Sequence, residues 1–334
     1  MSSALDTLAP ELRALARPAP QPRSTEPMKA YLHDKPFSNP SWIFERKLDG
    51  VRALTFRDGD RISLASRTGR TLNPSYPELV DALAAQPNRD FVVDGEIVAF
   101  EGGRTSFERL QGRMGIADPD RARRSGIAVF LYLFDLLHLD GHDVTRLPLL
   151  ARKRLLRRAL TWEDPLRFTT HRRAKGEEAF ADACRRGWEG VVAKGAESTY
   201  QRVRSRDWLK VKCEARQELV IGGWTAPKGS RTRFGALLVG YYDDGRLRYA
   251  GKVGTGFDRS TLDALGDKLE ALERPTPPFA SNGAVPRAAH WAEPKLVAEI
   301  AFTEWTRDGK LRHPRYLGLR DDKRAEDVVR ERPI

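Results

Sequence analysis

One lysine of this sequence stands among residues that could make its amine a nucleophile. Lys47 lies in the segment FERKLDGVR, with Glu45 two positions before it, Asp49-Gly50 just after it and Arg52 five positions after it. A lysine amine attacks only in its uncharged form, which burial or nearby cations favour. The apolar residues before Glu45 predict a strand, and Asp49-Gly50 predicts a turn at its end. Taken alone, the pattern is more typical of a solvated lysine before a hairpin turn.

Carboxylates occur inside two apolar runs further along the chain. The run FVVDGEIVAF predicts a buried strand, on which Asp94 and Glu96 share one face because strand side chains alternate. Glu189 begins a similar run that ends at Lys194. Buried carboxylates must be ion-paired, hydrogen-bonded or turned towards a metal ion, since burying them bare is costly. For Asp94 and Glu96, a surface edge strand is an equally good interpretation.

Basic residues are in excess over the whole chain. The net charge is +12 and the sequence pI is about 9.8, which predicts a polyanionic partner. Lys210 and Lys212 share one face of the strand predicted in WLKVK, behind an arginine run that includes Arg204. The alternative interpretation is a basic surface with no specific partner.

The composition disfavours several classes of protein. The two cysteines, Cys184 and Cys213, form no CxxC pair and no cluster at zinc-binding spacing. Neither structural zinc nor a disulfide framework is therefore expected, and a reducing interior is indicated. The first residues have no signal-peptide pattern, and no stretch reaches the ~18 continuous apolar residues that a membrane span needs. The sequence predicts a cytoplasmic protein with no membrane partner.

Changes in composition divide the chain into three parts. Residues 1–27 predict a short amphipathic helix at residues 5–16 followed by a proline-rich arm. Residues 28–214 predict the strands and helices of a first domain. Residues 215–334 predict five strands with one helix after the third, which suits a small OB-type barrel. Because fewer than about fifty residues precede Lys47, we expect no large separate domain ahead of it.

Six short motifs follow one another along the first domain, and their order is far more specific than any one of them. They are KLDG from Lys47, SRTG with Arg67, DGE ending at Glu96, YLFD with Phe134, EGVVAK from Glu189 to Lys194, and WLKVK ending at Lys212. This order resembles the covalent nucleotidyltransferases and, within them, the ATP-dependent DNA ligases. The segments FDLLHLDG, LPLLARKRLL, FERLQGR and LRHPRYLGLR are similar to the ligase module of bacterial end-joining repair, the LigD type.

The resemblance implies a fold, a reaction and a set of partners. The fold is α+β, with a nucleotidyltransferase (ATP-grasp-like adenylation) domain of antiparallel sheets and helices followed by a β-barrel OB-fold domain. The reaction uses ATP and Mg²⁺, with Mn²⁺ as the alternative metal. In it Lys47 becomes lysyl-AMP, the AMP passes to the 5′-phosphate of a DNA break, and the 3′-hydroxyl displaces it. The implied partners are nicked or broken double-stranded DNA, the end-binding protein Ku and a repair polymerase, in non-homologous end joining at the nucleoid.

The resemblance also assigns site residues. Around the nucleoside, Glu45 would bind the adenine amine, Phe134 would stack on the ring, and Arg52 and Glu96 would hold the ribose side. The metal would lie near Glu96 and Glu189. The residues implied at the phosphates are Lys194, Arg204, Lys210 and Lys212 for the nucleotide, Arg67 for the nick, and Arg312, Arg315 and Lys323 for pyrophosphate.

Other classes of protein share part of this pattern. RNA ligases and mRNA-capping nucleotidyltransferases have the same lysine motif and chemistry, and the segment from Phe134 to Leu156 argues against them as a family signature. An OB-type single-strand binder would explain the charge and aromatics such as Trp224, but not the ordered carboxylates and lysines. A P-loop is excluded because GRLRYAGKV has the wrong glycine spacing and no Ser or Thr after its lysine. An NAD-dependent ligase would need further cysteines and a domain ahead of Lys47.

Overall fold

The computed structural model describes residues 3–227, 232–280, 285 and 289–334. Residues 1 and 2 of the predicted N-terminal arm lie outside that description. The chain divides into two compact units, of which the first is Met1–Cys213 with Pro333–Ile334 and the second is Glu214–Arg332. The division follows directly after the strand that carries Lys210 and Lys212.

The first unit combines short helices with two sheets. Its strands are β1 (Arg17–Pro18), β2 (Lys29–Leu32), β3 (Asn39–Lys47), β4 (Val51–Asp58), β5 (Arg61–Ser66), β6 (Asp90–Glu101), β7 (Arg104–Thr105), β8 (Val129–Leu139), β9 (His142–Asp143), β10 (Leu166–Phe168), β11 (His171–Ala174), β12 (Gly190–Gly195) and β13 (Arg204–Lys212). Its α-helices are α1 (Pro10–Arg13), α2 (Pro77–Ala84), α3 (Phe107–Gln111), α4 (Pro119–Arg123), α5 (Leu149–Ala159) and α6 (Gly176–Arg185). Short 3₁₀ turns cover Ala4–Thr7 and Asn73–Ser75.

The larger sheet carries the main hydrophobic core of the first unit. Its path β1-β9-β8-β6-β4-β5 is antiparallel throughout, with β7 beside β6 and β10 parallel to β8. Alternate residues of the central strands, such as Val93, Ile97, Leu131 and Leu133, pack in one buried cluster with side chains of α2, α3 and α5. Because side chains alternate along a strand, one face of this sheet is apolar, and that face packs against the helices.

The smaller sheet has two faces with different neighbours. Its order is β11-β3-β12-β13-β2, with β2 parallel to β13 and the other pairs antiparallel. On one face, Phe44 and Val211 pack with alanines of α6. On the other, Trp208 of β13 joins Leu54 and Phe134 of the larger sheet in an apolar cluster. The two sheets thus face each other across that cluster.

One expectation from the sequence is wrong, and one covalent link was not anticipated. Residues 5–16 do not form one helix, because a 3₁₀ turn at Ala4–Thr7 is followed by the separate helix α1. Pro10 has no backbone N–H to donate into a preceding turn, so it begins a helix instead of continuing one.

Cys184 of α6 and Cys213, the residue after β13, form a disulfide across a sequence separation of 29. Sequence motifs detect cysteines that are close in sequence, whereas these two are distant in sequence and become neighbours only in the fold.

The second unit has an antiparallel sheet of seven strands, a separate two-stranded sheet and, in the described residues, one α-helix. Its elements are β14 (Ala215–Trp224), β15 (Leu237–Asp243), β16 (Arg246–Val253), α7 (Arg259–Glu270), β17 (Glu273–Arg274), β18 (His290–Ala292), β19 (Val297–Phe302), β20 (Glu304–Trp305), β21 (Leu311–Arg312), β22 (Arg315–Leu319) and a 3₁₀ turn at Ala325–Asp327. The long strand β14 pairs with β15, β18 and β19, while β15 continues to β16 and β19 continues to β22.

This connectivity confirms the predicted OB-type order and the α+β class. The helix follows the third long strand, as expected, and its residues Leu265 and Leu269 pack with Leu219, Leu237 and Ile300 in one core. The last predicted strand is divided into β21 and β22, since Pro314 between them cannot donate to a ladder. Within the described part of the chain, no helix has the length and apolar character needed to cross a membrane.

Candidate active site

One face of the smaller sheet collects most of the predicted nucleotide-binding residues. In the pairing of β12 with β3, Lys47 lies opposite Gly190 and Glu45 opposite Val192, and in its pairing with β13, Lys210 lies opposite Val192. Directly paired residues of neighbouring strands point to the same side, and side chains alternate along each strand. The register therefore brings together Glu45, Lys47, Lys194, Lys210 and Lys212.

A buried carboxylate holds the amine of Lys47. Its Nζ donates a hydrogen bond to Glu189 Oε2 at 2.6 Å, and Lys212 Nζ lies 4.0 Å from Oε1 of the same group. The backbone of Glu189 is fixed as well, because its carbonyl accepts a hydrogen bond from the Cys213 amide at 2.9 Å. Glu189 therefore sets the position of the amine at the end of β3.

Glu45 lies between two lysines. Its Oε1 accepts a hydrogen bond from Lys153 of α5, and Lys194 Nζ lies 2.6 Å from its Oε2. All three side chains are buried. Burial by itself would raise the pKa of Glu45, but the charges of Lys153 and Lys194 outweigh it and hold that pKa below its ordinary value. Glu45 is therefore a carboxylate at neutral pH. Burial lowers the pKa of Lys194, with Glu45 opposing the change.

Arg52 is paired with a carboxylate on the larger sheet. Its Nη2 donates to Asp94 Oδ2 at 2.6 Å and to the Met28 carbonyl at 3.1 Å, and the Tyr200 hydroxyl donates to Asp94 at 2.6 Å. Burial and the Asp94 charge raise the pKa of Tyr200 well above its ordinary value, so the hydroxyl remains a donor. Arg52 also lies opposite Glu96 in the register, so the two residues predicted at the ribose side are neighbours on one face.

A β-bulge orients the ring of Phe134. At this point β8 has one residue more than β6, and Phe134 is the extra residue. Bulges re-aim side chains, and here the ring packs with Leu54 and Trp208 between the two sheets. The guanidinium carbon of Arg52 lies 4.7 Å from the ring centroid and Lys194 Nζ lies 4.2 Å from it. Phe134 thus contacts the apolar cluster and two predicted site cations at once.

Two further predicted residues of the first unit lie in a turn and at the start of a strand. Arg67 lies half-buried in the turn after β5. Arg204 is exposed at the start of β13, where it donates to the Ala30 carbonyl at 2.7 Å and lies over the Tyr31 ring at 5.7 Å. Arg204 is therefore held by β2.

The three cations predicted at pyrophosphate belong to the second unit. Arg312 of β21 pairs with Glu304 at 2.7 Å, and Arg315 of β22 lies 3.5 Å from Glu214. Lys323 lies 2.7 Å from Glu218. Each of these partners lies in the second unit, and Arg312 and Arg315 are exposed.

Only two carboxylates are predicted at the metal. This number suits a magnesium ion that also binds nucleotide phosphates and water, and it is too small for a site whose ligands all come from the protein. No group of three or more His, Cys, Asp or Glu residues is placed to hold a metal ion in the described parts of the chain. A magnesium ion that shares its ligands with nucleotide phosphates needs only one or two carboxylates and keeps several waters. Glu96 of β6 and Glu189, directly before β12, fit that requirement in number and chemistry.

Two buried cations on α5 were not singled out from the sequence, namely Lys153, which contacts Glu45, and the neighbouring Arg152. Arg152 donates to both oxygens of Asp135, at 2.7 and 3.0 Å, while Lys153 donates to Glu45 and, at 2.9 Å, to the Thr169 carbonyl. A basic helix is usually solvated on its charged face. The spacing along the helix argues against that interpretation. Arg152 lies three residues and Lys153 four residues after the buried Leu149, so both fall on the buried helix face that also carries Leu156.

Two protein-family models match this chain. The model for the ATP-dependent DNA ligase domain matches residues 25–212, and the model for the C-terminal region of ATP-dependent DNA ligases matches residues 230–323. The two matches fall in the first and second units respectively.

Individual relatives agree with these matches. A multifunctional non-homologous end joining protein LigD of Pseudomonas aeruginosa is 37% identical over 326 residues, which are 94% of this chain and 37% of the relative. A DNA ligase of Hyperthermus butylicus is 31% identical over 361 residues, covering 98% of this chain and 58% of the relative. The structure of a mycobacterial DNA ligase D complexed with ATP and MES is similar with a TM-score of 0.65 at 34% identity, covering 92% of this chain and 98% of that one. The chain thus spans little more than a third of the length of the LigD relative.

Proposed function

The chain belongs to the ATP-dependent DNA ligase family, and from the geometry of its site we propose that it seals DNA strand breaks by way of an AMP group carried on Lys47. The observation that supports this most directly is the position of Lys47 Nζ, which Glu189 holds at 2.6 Å. The same sheet face carries a carboxylate and three further lysines. A nucleotide has the complementary chemistry, with a base that offers hydrogen-bond donors and phosphates that need positive charge.

The proposed reaction has three displacements at phosphorus. The lone pair of Lys47 Nζ attacks the α-phosphorus of ATP, an N–P bond forms, and pyrophosphate leaves with the electrons of the broken P–O bond. An oxygen of the DNA 5′-phosphate then displaces the lysine, which transfers AMP to the DNA. Finally the 3′-hydroxyl attacks that 5′-phosphorus, the phosphodiester forms, and AMP leaves. Such transfers depend mainly on positioning and charge neutralisation.

The roles proposed for the surrounding residues follow from that requirement. Glu45 accepts a hydrogen bond from the adenine amine, Phe134 stacks on the ring, and Arg52 and Glu96 hold the ribose side. When bound, Mg²⁺ or Mn²⁺ supplies positive charge to the phosphate oxygens, and Glu96 and Glu189 would hold it. The residues proposed to neutralise phosphates of the nucleotide, nick or pyrophosphate are Lys194, Arg204, Lys210, Lys212, Arg67, Arg312, Arg315 and Lys323.

Incubation with α-labelled ATP and magnesium tests the first step. We expect the protein to become covalently labelled, to prefer ATP over GTP, and then to seal a nicked duplex that carries a 5′-phosphate. A capping-type nucleotidyltransferase would prefer GTP, and an RNA ligase would seal nicked RNA better than nicked DNA. Absence of label on the protein would exclude the whole covalent mechanism, including the proposed role of Lys47.

We further propose that the sealing serves non-homologous end joining. The support is that the LigD relative is named for that process, although the chain spans only part of its length. The corresponding partners are the end-binding protein Ku and a repair polymerase. Joining of linear duplexes should be stimulated by Ku from the same organism, whereas sealing of a nick in a circle, which offers no ends, should not change. Equal stimulation of both reactions, or of neither, would contradict this assignment.

DNA binding is proposed to depend on basic residues of both units. The net charge is +12, and both units carry exposed arginines. Because phosphate contacts release counterions, DNA affinity should fall roughly 10³–10⁵-fold between 50 and 200 mM salt if six to ten phosphates are contacted. AMP uptake needs no DNA and should change far less over that range. If salt inhibits both steps in parallel, it acts on the nucleotide site or on folding instead.

A further inference from the structure

We infer that Lys153 is a positioning residue that sets the enzyme's preference for a purine with a 6-amine, by holding Glu45 in one orientation. The inference rests on the proposed use of ATP. It adds to the proposed nucleotide site a residue that lies outside the six motifs. Lys153 would not contact the nucleotide. It would act through the carboxylate two positions before the nucleophilic lysine.

The geometry fixes both ends of Lys153. Its Nζ donates to Glu45 and to the Thr169 carbonyl, and it lies over the Phe168 ring, 4.8 Å from the centroid. The helix that carries it is itself held in place, because the neighbouring Arg152 donates to both oxygens of Asp135. Lys153 therefore reaches Glu45 from a rigid support, and its amine has little freedom to move away.

The two lysines divide the oxygens of Glu45 between them. Lys153 donates to Oε1, while Lys194 is next to Oε2. A carboxylate whose oxygens are held from two directions has a fixed plane. Since its two oxygens offer about four lone-pair positions, acceptor capacity remains for a donor such as the 6-amine of adenine. A base with a carbonyl at position 6 would place an acceptor oxygen against the carboxylate of Glu45, and no hydrogen bond would form.

Lys153 also supplies the largest of the charges that lower the pKa of Glu45, ahead of that of Lys194. His171 lies directly opposite Glu45 in the pairing of β11 with β3. Burial, and then the charge of Lys153, lower the pKa of His171, which makes the ring a weak source of positive charge at neutral pH. Without Lys153, the buried Glu45 would keep Lys194 as its main cation, and that lysine also lies over the Phe134 and Trp208 rings at 4.2 and 4.0 Å.

The test compares ATP with purine riboside 5′-triphosphate, which lacks the 6-amine. Self-labelling of the unaltered protein should be more efficient with ATP, and we expect Lys153→Met to reduce that preference about ten- to hundredfold, the range for a hydrogen bond to a charged group. The loss should occur mainly through the ATP concentration at half-maximal rate. Arg154→Met, an exposed neighbour on the same helix, is the matched control and should keep the preference.

A thermodynamic cycle separates positioning from a merely structural role. If Lys153 acts through Glu45, then Glu45→Gln alone and Glu45→Gln with Lys153→Met should show the same weak preference. Lys153→Gln, which keeps a donor but not the charge, serves in the same cycle if the methionine variant does not fold. A folded Lys153 variant that keeps the full preference, or slows both nucleotides equally, overturns the inference. Absence of label on the unaltered protein would overturn the proposed function instead.

Discussion

Two predicted site cations of the first unit and two of the second are held in different ways. Lys47 and Lys194 pair with carboxylates whose side chains are only 3% exposed. Arg312 and Arg315 are 57% and 51% exposed, and their partners are exposed to a similar degree. A buried pair fixes its own geometry, because either group alone would be an uncompensated charge. An exposed pair contributes about 1 kcal/mol or less to the free energy of unfolding, so a ligand can displace one partner at little cost.

The difference concerns individual residues and not the units as such. Arg320, at the end of the same basic segment, is buried in the second unit and donates to Asp322 at 2.9 Å and to Glu299 at 2.8 Å. Burial opposes the charge of Arg320, but these carboxylates outweigh it and raise its pKa well above its ordinary value. Arg320 therefore has a structural role in the absence of any ligand. Arg312 and Arg315, by contrast, form exposed pairs with Glu304 and Glu214, which a ligand can displace.

Lys47→Ala should have the largest effect on activity. The variant should take up no AMP and seal no ordinary nick, because it lacks the amine that Glu189 holds at the end of β3. It should still seal a nick that is already adenylylated, since the lysine is needed covalently only before AMP reaches the DNA. Lys175→Ala, in an exposed pair with Glu178, is the control and should retain both activities. Labelling of the Lys47 variant by ATP would show that the nucleophile is another residue.

Arg152→Met should have a large effect on stability. It would leave the buried carboxylate of Asp135 without its cation, at a cost of about 3–5 kcal/mol in the free energy of unfolding. Arg324→Met, which removes an exposed pair with Asp327, should cost about 1 kcal/mol or less. Urea titrations of the two variants measure this difference directly. Equal losses would mean that burial does not distinguish the two kinds of pair.

Phe134→Ala should affect stability and nucleotide use together. Removing a buried phenylalanine costs about 3–5 kcal/mol. Lost stacking of roughly 1–3 kcal/mol should also raise the ATP concentration for half-maximal labelling about tenfold or more. Phe91→Ala, in the core on the helix side of the larger sheet, should give the first effect alone. If Phe134→Ala behaves like that control, its ring belongs only to the core.

The sequence predicted the strands, the OB-type order and the family, but it could not predict how side chains meet across strands. Order and spacing of the motifs located Lys47 and Glu189, while their contact depends on the register of β3 against β12. Phe134 reaches the space between the sheets through a bulge, which no periodicity reveals. Lys153 was missed because charged helices are usually solvated. The disulfide was missed because its two cysteines approach only in the folded chain.

Arg312→Ala should have the smallest effect on the fold and still a selective effect on function. Both Arg312 and Glu304 are more than half exposed, so the free energy of unfolding should change by about 1 kcal/mol or less. If the arginine contacts pyrophosphate as proposed, AMP uptake from ATP should slow while sealing of a pre-adenylylated nick continues, because pyrophosphate takes part only in the first step. Arg259→Ala, an exposed arginine at the start of α7, is the control and should leave both rates unchanged. Equal slowing of both steps would place Arg312 at the DNA instead, and a large loss of stability would show that its exposed pair matters to the fold.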